Sequence, residues 1–211
     1  MPIPLLGASA DPVNAYGFHG SGPSCELVGG ASTIDFTDIP QRQSSPAQNL
    51  WSPRHLRFKC RVKTDGSGSG DNYKWGVRFN GISDAVYDYQ FMAVLANNTV
   101  GAGSYTGENA ILLVDPNTSL HEPLGLISTT GEWTFAIIDI AYPEPIAGSA
   151  SSFGLTAAVT GLYDGSGNPC SLWVGGQMRA SEGVTALSRV TFIVGSGNFH
   201  SESRIQLVCE G

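Results

Sequence analysis

The amino-acid sequence predicts an all-β protein, a single two-sheet antiparallel sandwich wound as a jelly roll. Three observations carry this expectation. Strict two-residue alternation recurs along the chain, most clearly in Leu56-Arg57-Phe58-Lys59-Cys60-Arg61-Val62-Lys63 and Tyr73-Lys74-Trp75-Gly76-Val77-Arg78-Phe79. A strand with one buried face requires that period. Helical periodicity is missing: no window of about 11 residues keeps apolar positions at i, i+3, i+4 and i+7 without Gly or Pro interrupting it. Turn formers abound, with 27 Gly and 12 Pro among 211 residues, and they cluster between the alternating segments, as many short strands joined by turns demand.

Taken in order, residues 1–15 form a distinct segment, rich in Pro, Leu and Ala and nearly uncharged. They read as an N-terminal arm, ahead of one sandwich domain over 16–211. The first strands are expected at 24–28 and 32–37. Residues 56–63 and 73–79 flank Asp65-Gly66-Ser67-Gly68-Ser69-Gly70-Asp71, and alternation on both sides of a Gly-rich loop predicts an antiparallel hairpin. Further strands are expected at 86–96, 110–114, 132–141, 153–163, 170–176, 188–194 and 203–209. Turn clusters separate them at Asp115-Pro116-Asn117, Asp164-Gly165-Ser166-Gly167-Asn168-Pro169 and Gly195-Ser196-Gly197-Asn198. Trp133–Ala141 and Phe153–Val159 are apolar on both phases, which predicts strands covered on both faces or lying at a sheet centre under another layer. There is no repeat with a period of 20–50 residues.

The totals bound the class. A length of 211 residues suits one β-sandwich. Charged residues make up 14% of the chain and the net charge is −7, a packed, loop-rich composition that does not favour nucleic acid. The longest apolar runs fall well short of a membrane span. The N-terminus, Met1-Pro2-Ile3-Pro4-Leu5-Leu6, has no basic leader region, so synthesis in a cytoplasm is expected. Cys25, Cys60, Cys170 and Cys209 form no CxxC pair and read as free thiols. If the first and last strands are neighbours, a Cys25–Cys209 bridge becomes conceivable, although a reducing cytoplasm opposes it.

Four segments carry a family resemblance. Gly131-Glu132-Trp133-Thr134-Phe135-Ala136-Ile137-Ile138 resembles a strand opened by a tryptophan. Phe58-Lys59-Cys60-Arg61-Val62-Lys63-Thr64-Asp65-Gly66 resembles an early strand ending in Asp-Gly. Leu172-Trp173-Val174-Gly175-Gly176 resembles a late strand and turn, and Arg189 to Gly195, Phe199 and Arg204 to Val208 resemble the closing pair. In this order they resemble a laminin-G-like domain within the concanavalin A-like lectin and glucanase jelly rolls. The resemblance implies that fold. Its members bind glycans, bind proteins, hydrolyse glucans or build virus particles, so the residues must decide among these roles.

Catalytic signatures are not found. Hydrolysis of glucans needs two carboxylates on one strand face, and Glu132, Asp139 and Glu144 have the wrong spacing for it. There is no G-x-S-x-G, and His19, His55, His121 and His200 have no nucleophile signature nearby. Asp164-Gly165-Ser166-Gly167-Asn168 starts like a calcium loop, but the position for its bidentate Glu is Gly175. Asp65 with Asp71 reads as turn chemistry rather than an ion site. No enzyme activity, metal or cofactor is expected.

The signal that stands out is positive charge. Of 11 Lys and Arg, six, namely Arg57, Lys59, Arg61, Lys63, Lys74 and Arg78, share one phase of the expected hairpin, which would gather them on one sheet face for an anionic partner. Tyr16, Phe18, Tyr87, Tyr89, Tyr105, Tyr142 and Tyr163 read as residues in or beside loops on which sugars could stack. The leading expectation is a phage virion structural protein, a capsid-decoration, head-fibre or tail-appendage component. It would dock on the acidic protein surface of a particle through the cationic face and assemble as a closed homo-oligomer such as a trimer. A carbohydrate-binding, lectin-like module is the alternative. Nucleic acid ranks last as a partner, and no membrane is expected.

Overall fold

The computed structural model describes residues 25–26, 31–37, 55–65, 74–95, 100–114, 133–141, 153–163, 169–179 and 187–210. Among them lie twelve strands: β1 Cys25–Glu26, β2 Thr33–Thr37, β3 His55–Val62, β4 Trp75–Phe79, β5 Tyr87–Val94, β6 Val100–Glu108, β7 Ile111–Val114, β8 Thr134–Ala141, β9 Phe153–Tyr163, β10 Pro169–Met178, β11 Arg189–Val194 and β12 Arg204–Glu210. They form two antiparallel sheets. One has eight strands in the order β1-β12-β3-β8-β9-β10-β5-β6, the other four in the order β2-β11-β4-β7. The described chain is therefore an all-β two-sheet sandwich, as its alternation requires.

The core lies between the inner phases of the two sheets. Leu56, Phe58, Cys60 and Val62 of β3 are buried, as are Trp75, Val77 and Phe79 of β4. Phe36 of β2, Phe58 of β3 and Phe192 of β11 meet edge to face, with ring centroids 5.0, 5.2 and 5.7 Å apart. Offset and edge-on contacts suit the ring quadrupoles, and this trio bridges both sheets. Tyr87 of β5 is wholly buried, yet its hydroxyl is satisfied. It accepts the Phe79 N–H at 2.9 Å and donates to the Ile82 carbonyl at 2.9 Å. Burial pushes this phenol up to about 12, so it stays protonated and ties the end of β4 to β5. Cys60 and Cys170 are buried. Burial pushes the Cys60 thiol far up, which makes it an inert core residue.

Four expectations need correction. Residues 56–63 and 73–79 do not pair as a hairpin. β3 lies between β12 and β8, whereas β4 lies between β11 and β7 in the other sheet. Alternation fixes which face of a strand is buried, not which strand it pairs with. Here the two apolar phases meet across the core instead of side by side. Second, β6 was not anticipated. Its sequence, VGAGSYTGE, shows no apolar alternation because it is an edge strand with no fully buried position. Third, β1 and β12 are neighbours as expected, but Cys25 stands opposite Ile205. That is four residues along β12 from Cys209, so the two are not register partners. Fourth, β8 and β9 do occupy the sheet centre, but their outer phase is not covered: Phe135 and Ile137 are 47% and 49% exposed.

Candidate functional site

The outer face of the eight-stranded sheet carries the candidate site. Strand register places its side chains in transverse rows. One row runs Arg57–Asp139–Thr156–Gly175–Gln90–Ser104 from β3 to β6. The next runs Lys59–Ile137–Ala158–Trp173–Met92–Ala102 across the same strands. A polar row and an apolar row thus lie side by side. Two adjoining hollows of about 860 and 790 Å³ follow them and share Gln90, Ser104, Asp139, Thr156 and Gly175, so they form one groove.

Glycine makes the floor of this groove. Alternation in β10 turns Val174, Gly176 and Met178 inward and Trp173, Gly175 and Gln177 outward. A Cβ on Gly176 would meet Ile111 Cγ2 and Tyr89 Cβ, both at 2.9 Å, so packing between the sheets requires that glycine. A Cβ on Gly175 would meet nothing within 4 Å. Packing does not account for this second glycine, and glycine weakens a strand interior. Strand glycines occur at bulges, at tight bends and where a ligand or another backbone approaches closely, and the irregularity in β10 lies between Cys170 and Leu172 rather than here.

The apolar side of the groove is open to solvent. The exposed large hydrophobic side chains among the described residues are Met92, Val100, Phe135, Ile137 and Trp173, each between 45% and 59% exposed. Register puts all five on this one face. Gathered on one face, they give this sheet an exposed apolar character that singly scattered hydrophobics would not. The polar side is held in place. Arg57 donates from Nε to Asp139 Oδ1 at 2.7 Å and from a terminal nitrogen to Oδ2 at 3.2 Å. Asp88 accepts the Gly107 N–H at 2.9 Å and faces Arg179 Nε at 3.4 Å. Both carboxylates are fixed acceptors with little freedom to reorient.

The six cations expected on one face are divided between the two sheets. Arg57, Lys59 and Arg61 stand on the outer face of β3, with Lys63 just beyond its end. Lys74 and Arg78 belong to β4 and its approach, in the other sheet, where Arg78 Nε donates to the Asn109 carbonyl at 2.9 Å. The Arg61 guanidinium lies 3.7 Å above the centre of the Trp133 ring system, and Lys63 Nζ lies 5.7 Å from it. The His200 ring meets the same indole edge-on at 6.0 Å.

The expected sugar-stacking tyrosines do not form the site. Tyr87 and Tyr89 are buried, and Tyr105 stacks on Tyr89 with centroids 4.9 Å apart. Tyr16, Phe18, Tyr142 and the side chain of Tyr163 lie outside the described residues. Trp173 and Phe135 are aromatic side chains that do reach the face; Trp173 lies on the phase opposite the inward Leu172 and Val174, whereas β8 is apolar on both phases and its parity does not mark Phe135 as outward. Asp65 Oδ1 accepts the Asn198 N–H at 2.7 Å in a turn contact. Asp71 and the 164–168 loop lie outside the described residues, among which no cluster of three or more His, Cys, Asp or Glu is placed to hold a metal. No protein-family model, curated protein or solved structure matches this chain.

Proposed function

We propose that this domain binds a glycan along the groove on the outer face of its eight-stranded sheet. The observation that carries this reading is Gly175, an outward strand glycine with open space above it, lying within a row of polar side chains and one row away from an exposed tryptophan. A sugar ring needs that combination. Its hydroxyls pair with Thr156, Gln90, Asp139 and Ser104, and its apolar face lies on Trp173.

Binding is favoured over hydrolysis by the spacing of the groove's carboxylates. Asp139 on β8 and Asp88 on β5 are three strands apart in the sheet order, about 14 Å or more at the usual strand spacing. Glycosidase carboxylates stand roughly 5–9.5 Å apart. The docking face expected for a virion component keeps Arg57, Lys59, Arg61 and Lys63 and loses Lys74 and Arg78 to the other sheet; Gly175 and the exposed apolar row favour a glycan over that reading. A jelly-roll winding of the concanavalin A-like kind is part of the proposal. The nested pairings β1 with β12, β2 with β11, β3 with β8 and β4 with β7 support it.

The test is an oligosaccharide array probed with the full chain and with Trp173→Ala. The wild-type chain is expected to retain a defined set of glycans. The variant should bind them about 30-fold more weakly, the loss of one well-placed tryptophan of about 2 kcal/mol. Unchanged binding by the variant contradicts the placement of the site.

A further inference from the structure

We infer that the glycan is mostly neutral and carries one carboxylated sugar, which lies over β3 against Lys59 and Arg61. This rests on the glycan reading above and adds the ligand's charge and direction.

Charge is unevenly distributed along the groove. Over β9, β10 and the adjoining part of β5 the floor is uncharged: Thr156, Gly175, Gln90, Ala158 and Trp173. At the β5 end Asp88 faces Arg179, and at the polar end of β3 Arg57 is taken up by Asp139. Neither ion pair leaves a net charge for a ligand. Lys59 and Arg61 differ. Both are exposed. Register sets Lys59 beside Ile137 and Arg61 beside Phe135, where the apolar rows run out onto β3. On the other side of β3 the row of Lys59 continues to Gln206, and that of Arg61 continues to Arg204, opposite Glu26 of β1. A chain of net charge −7 therefore gathers Lys59 and Arg61, with Lys63 and Arg204 beyond them, at one end of a groove whose central floor is uncharged. Opposite charge at that end is recognised there and nowhere else along the floor.

Arg61 is also prepared for a planar anion. Contact with Trp133, whose ring centroid lies 3.7 Å from Cζ, holds the planar guanidinium at this end of the face. Its N–H groups project from the edge of that plane, so they can pair with both oxygens of a carboxylate. Lys59, two residues away on the same face, adds a compact second charge. A densely sulfated polymer fits poorly, because it would lay further charges along the uncharged floor and towards the carboxylate of Asp88 without a cation to meet each one.

The test uses matched oligosaccharide pairs on the array, each member bearing a uronic or sialic acid and its counterpart the methyl ester of the same sugar. The ester keeps the shape and removes the charge. The full chain is expected to bind the acid about tenfold more tightly than the ester, the size of one well-formed charged hydrogen bond. That ratio should fall towards one in K59Q/R61Q and should shrink as salt is raised. Thermal unfolding checks that the double variant is folded. Equal binding of acid and ester overturns this inference and leaves glycan binding standing. Retention of neither member, in any pair, overturns both.

Discussion

Gly175→Phe is expected to weaken glycan binding at least about 100-fold, or roughly 3 kcal/mol, while leaving the fold as stable as before. The two halves of this expectation come from one observation. A side chain at Gly175 meets no protein atom within 4 Å of its Cβ, and the residue is not among the glycines with positive φ, so phenylalanine fits the strand. β-propensity would even add up to about 1 kcal/mol of stability. The ring would then stand in the space above the floor that a ligand must occupy. Gly175→Ala should give a smaller loss of the same kind. Gly176→Ala provides the contrast: its Cβ would press on Ile111 and Tyr89 at 2.9 Å, an overpacking worth about 1–3 kcal/mol of stability. Affinity measurements and denaturant unfolding on the same samples separate the effects. A Gly175→Phe chain that binds as well as wild type places the ligand elsewhere.

Phe58→Ala is expected to cost about 3–5 kcal/mol of folding stability, a large part of what a domain of this kind possesses. Phe58 is wholly buried and holds edge-on contacts to Phe36 and Phe192, at 5.0 and 5.2 Å, across the two sheets. Its removal leaves a cavity where the sheets are joined. Phe135→Ala, by contrast, removes a ring that is 47% exposed on the outer face and should change stability by only about 0.5 kcal/mol. Urea unfolding of both variants reads the difference directly. Equal losses would mean that the assigned inner and outer phases are wrong.

Strand positions could be read because burial on one face imposes period two. Each anticipated strand among the described residues starts and ends within about two residues of its place in the structure. Partnership could not be read the same way. Leu56 to Val62 and Trp75 to Phe79 alternate identically whether they pair side by side or face each other across a core. The short Gly-rich connection suggested the first arrangement, and the structure has the second. β6 was hidden because an edge strand of Gly, Ala, Ser and Thr buries too little to leave a pattern. The site was half legible. Lys59 and Arg61 were singled out for their charge, and their side of β3 was assigned correctly. Trp173 and Gly175 carry part of the family resemblance, yet their value lies in sharing one face with Asp139, Thr156 and Gln90. Those residues come from four different strands, and only register brings them together.

The placement of the ligand is tested most directly by the methyl carbon signals of the methionines. The chain has 3 Met. Met92 stands on the groove face at 46% exposure, and Met178 is wholly buried on the inner phase of β10. With the methyl groups carbon-13 labelled, titration with an array-selected oligosaccharide should move the Met92 signal in proportion to site occupancy and leave Met178 in place. A glycan that saturates the protein while the Met92 signal stays still would contradict the assignment of this face as the binding site.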